Sequence, residues 1–122
     1  MPFQYILGDL LASNKGTLGV LFLDDAGETI DLACTASSPH DMQLLAAYVG
    51  IYLRQLRRFL EPDSFGDLRM MHIESSDLHV FALPLADGYY IVLAQSAPAL
   101  SALTRRKISR AGDLLMRELF AH

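Results

Sequence analysis

Few residues of this 122-residue chain are of types that could do chemistry, and their spacing keeps most of them apart. Asp24 and Asp25 are adjacent acids, but Asp24-Asp25-Ala26-Gly27 reads as a tight turn. Neighbouring turn carboxylates diverge into water, whereas a general acid–base pair must converge on a reacting group. Four histidines are present, His40, His72, His79 and His122. With Ser75-Ser76 as the tip of a two-residue turn, His72 and His79 become cross-strand partners, a placement that could seat a metal. No cysteine or carboxylate clearly joins them, so a plain strand pair with no metal is expected. Cys34, the lone cysteine, falls in an alternating strand and reads as packing; it permits no internal disulfide and fits a reducing compartment. The sequence contains no glycine-rich phosphate loop, Ser-His-Asp arrangement or nucleophile elbow. The expectation is a protein without catalytic residues or cofactor, whose function is binding.

The better candidate for binding is a polar strip formed by Gln43, Ala47, Arg54 and Arg58, with a shallow floor at Ala47 and Gly50. It belongs to the most unusual element of the chain, a helix from Ser38 to Leu60. Ser38 suits the N-cap, Pro39 the first helical position, and Asp41 the place of a capping-box acid. At about 100° per residue, Met42, Leu45, Ala46, Val49, Leu53, Leu56 and Leu60 form one apolar stripe. Leu44, Tyr48, Ile51, Tyr52 and Phe59 form a second, beside it. The helix is then apolar around roughly 220°, about twice the width of an ordinary surface helix. It needs two neighbours. One sheet supplies the first, and a second molecule is expected to supply the other. Gly50 costs about 1 kcal/mol relative to alanine inside a helix, which points to a close approach there by a strand or a partner.

The remaining elements are read from periodicity and punctuation. Phe3 to Ser13 is a short amphipathic helix with Ile6, Leu7, Leu10 and Leu11 inward. Leu18–Leu23 and Tyr89–Gln95 are strands apolar on both faces. Glu28–Cys34 is a strand with Thr29, Asp31 and Ala33 on one face and Ile30, Leu32 and Cys34 on the other. After the loop Glu61-Pro62-Asp63-Ser64-Phe65-Gly66 come strands Asp67–Glu74 and Leu78–Leu83, the second stopped by Pro84. Ser96 and Pro98 open a final helix to about Phe120, with Leu100, Leu103, Ala111, Leu114 and Leu115 inward. Short turns make the sheet antiparallel, and its doubly apolar strands need cover on both faces. The expected fold class is α/β (α+β), a three-layer sandwich in one domain spanning residues 1–122. A five-stranded antiparallel sheet carries the long helix on one face and two helices on the other, in the order α-β-β-α-β-β-β-α.

Bulk properties limit the function classes. Apolar content of 52% with 20% charged residues excludes a disordered chain. A net charge of −4 argues against a dedicated nucleic-acid binder. Residues 1–53 carry one base against six acids, while the bases cluster later as Arg54, Arg57, Arg58 and as Arg105, Arg106, Lys107, Arg110. Surface charge of this kind is ordinarily a solvated helix face. No apolar run is long enough to span a bilayer and no basic region precedes an apolar one at the N-terminus, so a cytoplasmic location is expected.

The element order and three stretches together resemble the roadblock family, small domains found in dynein light chains and in regulators of small GTPases. The stretches are Gly19-Val20-Leu21-Phe22-Leu23-Asp24-Asp25-Ala26-Gly27-Glu28, the long helix, and Pro84-Leu85-Ala86-Asp87-Gly88-Tyr89-Tyr90-Ile91-Val92-Leu93. The resemblance covers roughly Phe3 to Phe120 and rests on fold signatures, with no catalytic signature among them. It implies a homodimer in which the long helix packs against its mate through Leu44, Tyr48, Ile51, Tyr52 and Gln55. It also implies edge pairing along Asp67–Glu74, with Leu68, Met70 and His72. Five large side chains at about 1.5–3 kcal/mol each come to roughly 8–15 kcal/mol per subunit. The resemblance further implies that a small Ras-like GTPase docks near the helices, with Gln43, Ala47, Arg54 and Arg58 as the contact strip. The same dimer would serve as a structural adaptor in a motor, trafficking or signalling complex. The similar longin and profilin folds leave a third reading, a small-ligand sensor with a pocket between sheet and helix.

Overall fold

The computed structural model describes residues 3–35, 38–62 and 65–121. Asp63 and Ser64 of the expected loop, and His122, lie outside these. The described elements are α1 (Gln4–Ser13), β1 (Thr17–Leu23), β2 (Thr29–Cys34), α2 (Pro39–Leu60), β3 (Met71–Glu74), β4 (Leu78–Pro84), β5 (Tyr90–Ser96) and α3 (Ser101–Phe120). The five strands form one antiparallel sheet in the order β2-β1-β5-β4-β3. The first turn closes as its glycine requires, with Gly27 at φ +84° and the Asp24 carboxylate accepting from the amides of Ala26 and Glu28.

Alternation along the central strands sends side chains to both faces. Val20, Phe22, Phe81, Ile91 and Leu93 meet Ile6, Leu7 and Leu10 of α1 and Ile108, Ala111 and Leu115 of α3. Leu21, Leu23, Val80, Ala82, Tyr90, Val92 and Ala94 meet Met42, Ala46, Val49 and Leu53 of α2. The sandwich therefore has α2 alone on one face and α1 beside α3 on the other. Cys34 packs at the fringe of the α2-side core.

The structure departs from the sequence reading at several places, each with a local cause. β3 begins at Met71 rather than Asp67. Its register places Met71 opposite Ala82, so Arg69 would fall opposite Pro84, which has no N–H to give a ladder. α3 begins at Ser101, its first turn closed by the Thr104 amide on the Leu100 carbonyl, while the Ser96 and Ala97 amides are held by the carbonyls of Gly16 and Asp77. Leu100 is consequently 73% exposed instead of inward. The buried stripe of α3 is Thr104, Ile108, Ala111, Gly112 and Leu115. In β2 the pairing with β1 slips between Phe22 and Leu23, a bulge that turns Ile30 onto the α1/α3 face with Ala33 and leaves Leu32 and Cys34 opposite. Ser38 stands at the N-cap of α2, but its side chain makes no capping bond, so the expected capping box is not formed.

Thr104 belongs to a buried polar network that joins three elements. Its hydroxyl lies 2.9 Å from Gln95 Oε1 and 3.3 Å from Asn14 Oδ1, so its single proton goes to the nearer oxygen. Asn14 Nδ2 donates to Thr17 Oγ1 and Gln95 Nε2 to the Lys15 carbonyl. The network pins α3 to β5 and to the end of α1.

Candidate interaction surface on the long helix

The seat of α2 determines which of its faces is free. Tyr90, on the central strand β5, points its hydroxyl at the helix and lies 3.5 Å from the Ala46 carbonyl. A Cβ on Gly50 would stand 2.1 Å from that hydroxyl, so the glycine is what allows the contact. The close approach inferred from Gly50 is therefore made by a strand. Gly50 is buried, and it is not part of an exposed floor. Burial raises the Tyr90 pKa above its ordinary 10, a shift opposed by a hydrogen bond from Arg54 and by its charge. Arg54 Nη1 also donates to the Asp25 carbonyl at 3.3 Å, tying the helix to the β1–β2 turn.

With that seat fixed, the second apolar stripe faces outward. Leu44 is 51% exposed, Tyr48 56%, Ile51 43% and Tyr52 54%, and Gln55 is exposed beside them. Leu56 was placed on the sheet stripe by the wheel but is exposed as well. Phe59 continues the stripe and stacks on Phe65 with ring centroids 5.9 Å apart. The phenylalanine pair was missed by the sequence reading because Phe65 belongs to the loop after the helix. Apolar side chains in this density on one face are characteristic of an interaction site.

The polar strip is divided by the fold. Gln43 and Arg58 are exposed, Ala47 is half-buried, and half-buried Arg54 is engaged by the Asp25 carbonyl. The one ion pair among the described residues is Arg57 with Glu61, at 3.1 Å. The three edge residues also have intramolecular places. Leu68 packs against the α2-side core, Met70 against the opposite core, and His72 stacks on Phe81 at 4.2 Å. What β3 offers along its outer edge is therefore backbone. β3 is one of the two edge strands of the sheet, so that backbone has no strand beyond it among the described residues.

The sequence matches no family model and no curated protein. Solved structures do match. A Roadblock/LC7 domain from Streptomyces avermitilis superposes with a TM-score of 0.84 over 94% of this chain and 95% of its own, at 15% identity. This chain has the roadblock fold. The gliding protein MglB from Thermus thermophilus gives 0.84 over 95% and 87%, again at 15% identity. Myxococcus xanthus MglB gives 0.83 over the whole of both chains at 15% identity. MglC from the same organism matches more loosely, at 0.71 over 97% and 99% with 16% identity. At such identities the shared feature is the layered pattern of the roadblock fold. No helix among the described residues is long and apolar enough to cross a membrane.

Proposed function

We propose that this chain is a non-catalytic, cytoplasmic roadblock-type module of one domain that forms a homodimer and regulates a small Ras-like GTPase. Two copies pair through the outward stripe of α2, Leu44, Tyr48, Ile51, Tyr52 and Gln55, and through the backbone of β3. The GTPase docks on the platform made by the two α2 helices, contacting Gln43, Ala47 and Arg58. The observation that carries this reading is the uncovered apolar stripe on a helix whose other face is sealed against the sheet. The roadblock fold and the resemblance described above supply the partner class. The space between α2 and the sheet is filled by packed side chains, which disfavours a ligand sensor with a pocket there.

Arg58 is the steering charge in this reading, since it is exposed while Arg54 is engaged within the fold. The test is to add the protein to a Ras-like GTPase from the same source and measure complex formation and GTP turnover. Arg58→Glu should weaken binding without changing the dimer or its melting temperature. A GTPase that binds with no change in turnover or nucleotide release supports the adaptor role instead. No binding by wild type, or binding indifferent to Arg58→Glu, moves the site elsewhere.

A further inference from the structure

The hairpin of β3 and β4 brings Glu74 to the two histidines that the sequence reading had paired without a carboxylate. That reading put the turn at Ser75-Ser76 and made His72 and His79 direct partners. The observed register puts the tip at Ser76-Asp77, with the Ser75 amide donating to the Leu78 carbonyl. Glu74 then faces His79 directly, while His72 faces Phe81. His72 and Glu74, two residues apart on β3, share a face with His79. One ligand atom from each of the three lies within 4.8 Å of the other two. The carboxylate missing from the sequence reading is Glu74.

We propose that His72, Glu74 and His79 form a divalent transition-metal site of the Zn²⁺ class. Two imidazoles and one carboxylate are donors suited to zinc, whereas magnesium and calcium take oxygen ligands. The imidazoles are already positioned. His79 is buried, and its ring stacks with that of His72 at 5.1 Å between centroids. Both rings lie nearly parallel to Phe81, which fixes their planes. His72 Nε2 and His79 Nδ1 are hydrogen-bonded to each other at 2.9 Å, so the two nitrogens already converge on one point, where a metal would replace the shared proton. Tetrahedral zinc with Zn–N of about 2.0–2.1 Å sets its ligands roughly 3.3 Å apart, so the pair need open by only about 0.4 Å. Glu74 is exposed and free to close the third side. Glu74 and His79 also border a shallow cleft with Ser75, Ser76, Pro98 and Ser101.

Arg105 acts against the site, because its charge reaches His72 and repels any cation held there. The three side chains sit on the α1/α3 face of the sheet, so the ion would brace the edge hairpin and leave the β3 backbone open for pairing. The site is also on the opposite face from α2, and it stands or falls independently of the proposed GTPase surface.

The test uses the full chain stripped with chelator, then titrated with Zn²⁺ alone by calorimetry, with Co²⁺ absorption as a second readout. The expected result is one ion per chain with a micromolar or tighter dissociation constant and a raised melting temperature. His72→Ala should weaken binding by at least about 10–100-fold, because loss of a ligand costs at least as much as loss of an outer-shell partner. Glu74→Gln should weaken it by at least about 10-fold. Arg105→Gln should tighten it. His72 is half-buried and Glu74 exposed, so neither substitution depends on repacking the core around His79. Wild-type binding no tighter than millimolar, or zinc binding unaffected by either His72→Ala or Glu74→Gln, overturns the site.

Discussion

Replacing Tyr48 and Ile51 together with glutamate removes the centre of the outward stripe. Leu44, Tyr48, Ile51 and Tyr52 keep 51, 56, 43 and 54% of their exposure in the monomer, so a second copy has about half of each left to cover. Full burial of a large apolar side chain contributes about 1.5–3 kcal/mol, so half contributes about 0.8–1.5. Four residues give roughly 3–6 kcal/mol per protomer and 6–12 for the pair. The sequence-based figure of 8–15 per subunit was larger because it counted whole side chains and included Gln55. Association costs about 4–15 kcal/mol, so the stripe alone makes a weak dimer and the β3 edge and the Phe59–Phe65 pair must add to it. The double substitution forfeits about half of the stripe, roughly 3–6 kcal/mol for the pair, which weakens dimerisation by about 10²–10⁴-fold. Sedimentation equilibrium over a wide concentration range reads this directly. The variant should be monomeric with wild-type circular dichroism, since both positions are exposed. A wild-type chain that is monomeric at high concentration, or a variant with an unshifted dissociation constant, would refute the reasoning.

Gly50→Ala should destabilise the protein despite the helix propensity it adds. Overpacking against Tyr90 costs about 1–3 kcal/mol and the alanine returns about 1, so thermal melting should show a net loss of up to about 2. A raised melting temperature contradicts the seat. Thr104→Val keeps the shape but leaves Gln95 Oε1 without its donor, and should cost about 1–3 kcal/mol in denaturant unfolding. A neutral effect would mean the network does not clamp α3. The Tyr90 pKa is raised by burial, so the unfolded chain loses its proton first as pH climbs past 10. Stability from this group is complete below pH 10 and is lost as pH rises through the folded value. Tyr90→Phe should therefore have a shallower alkaline decline, and parallel declines in the two proteins would exclude the contribution.

The parts of the fold legible in the sequence were those governed by periodicity. The doubly apolar runs of β1 and β5, the amphipathic α1 and the over-wide apolar arc of α2 each state which faces must be covered, and together they give the layers. What the sequence hid were events set by one or two backbone hydrogen bonds. α3 closes its first turn on the Leu100 carbonyl and leaves Leu100 exposed, and a bulge turns Ile30 across the sheet. A two-residue change in hairpin register brings Glu74 opposite His79. None of these changes the hydrophobic pattern, so periodicity does not detect them. Within the candidate surface, the pattern identified the stripe but not the division of the arginines. Arg54 and Arg58 are one turn apart and look equivalent on a wheel, yet only Arg54 lies within reach of the Asp25 carbonyl and the Tyr90 hydroxyl.

That division bears on how the surface is built. A helix face is aimed by its rotation, and at about 100° per residue a small turn about the axis exchanges an exposed stripe for a neighbouring one. On α2 the rotation is fixed from beneath by Tyr90 against Gly50 and from the side by Arg54 against the β1–β2 turn. Tyr48 and Ile51 face outward because those contacts leave no other rotation open. The seat and the stripe should therefore be separable by experiment. Tyr48→Glu with Ile51→Glu should abolish pairing while leaving the fold of the protomer intact by circular dichroism, whereas Arg54→Gln should lower the stability of the protomer first and weaken pairing only in proportion. Loss of the dimer in Arg54→Gln at full stability would instead make Arg54 a direct contact of the dimer.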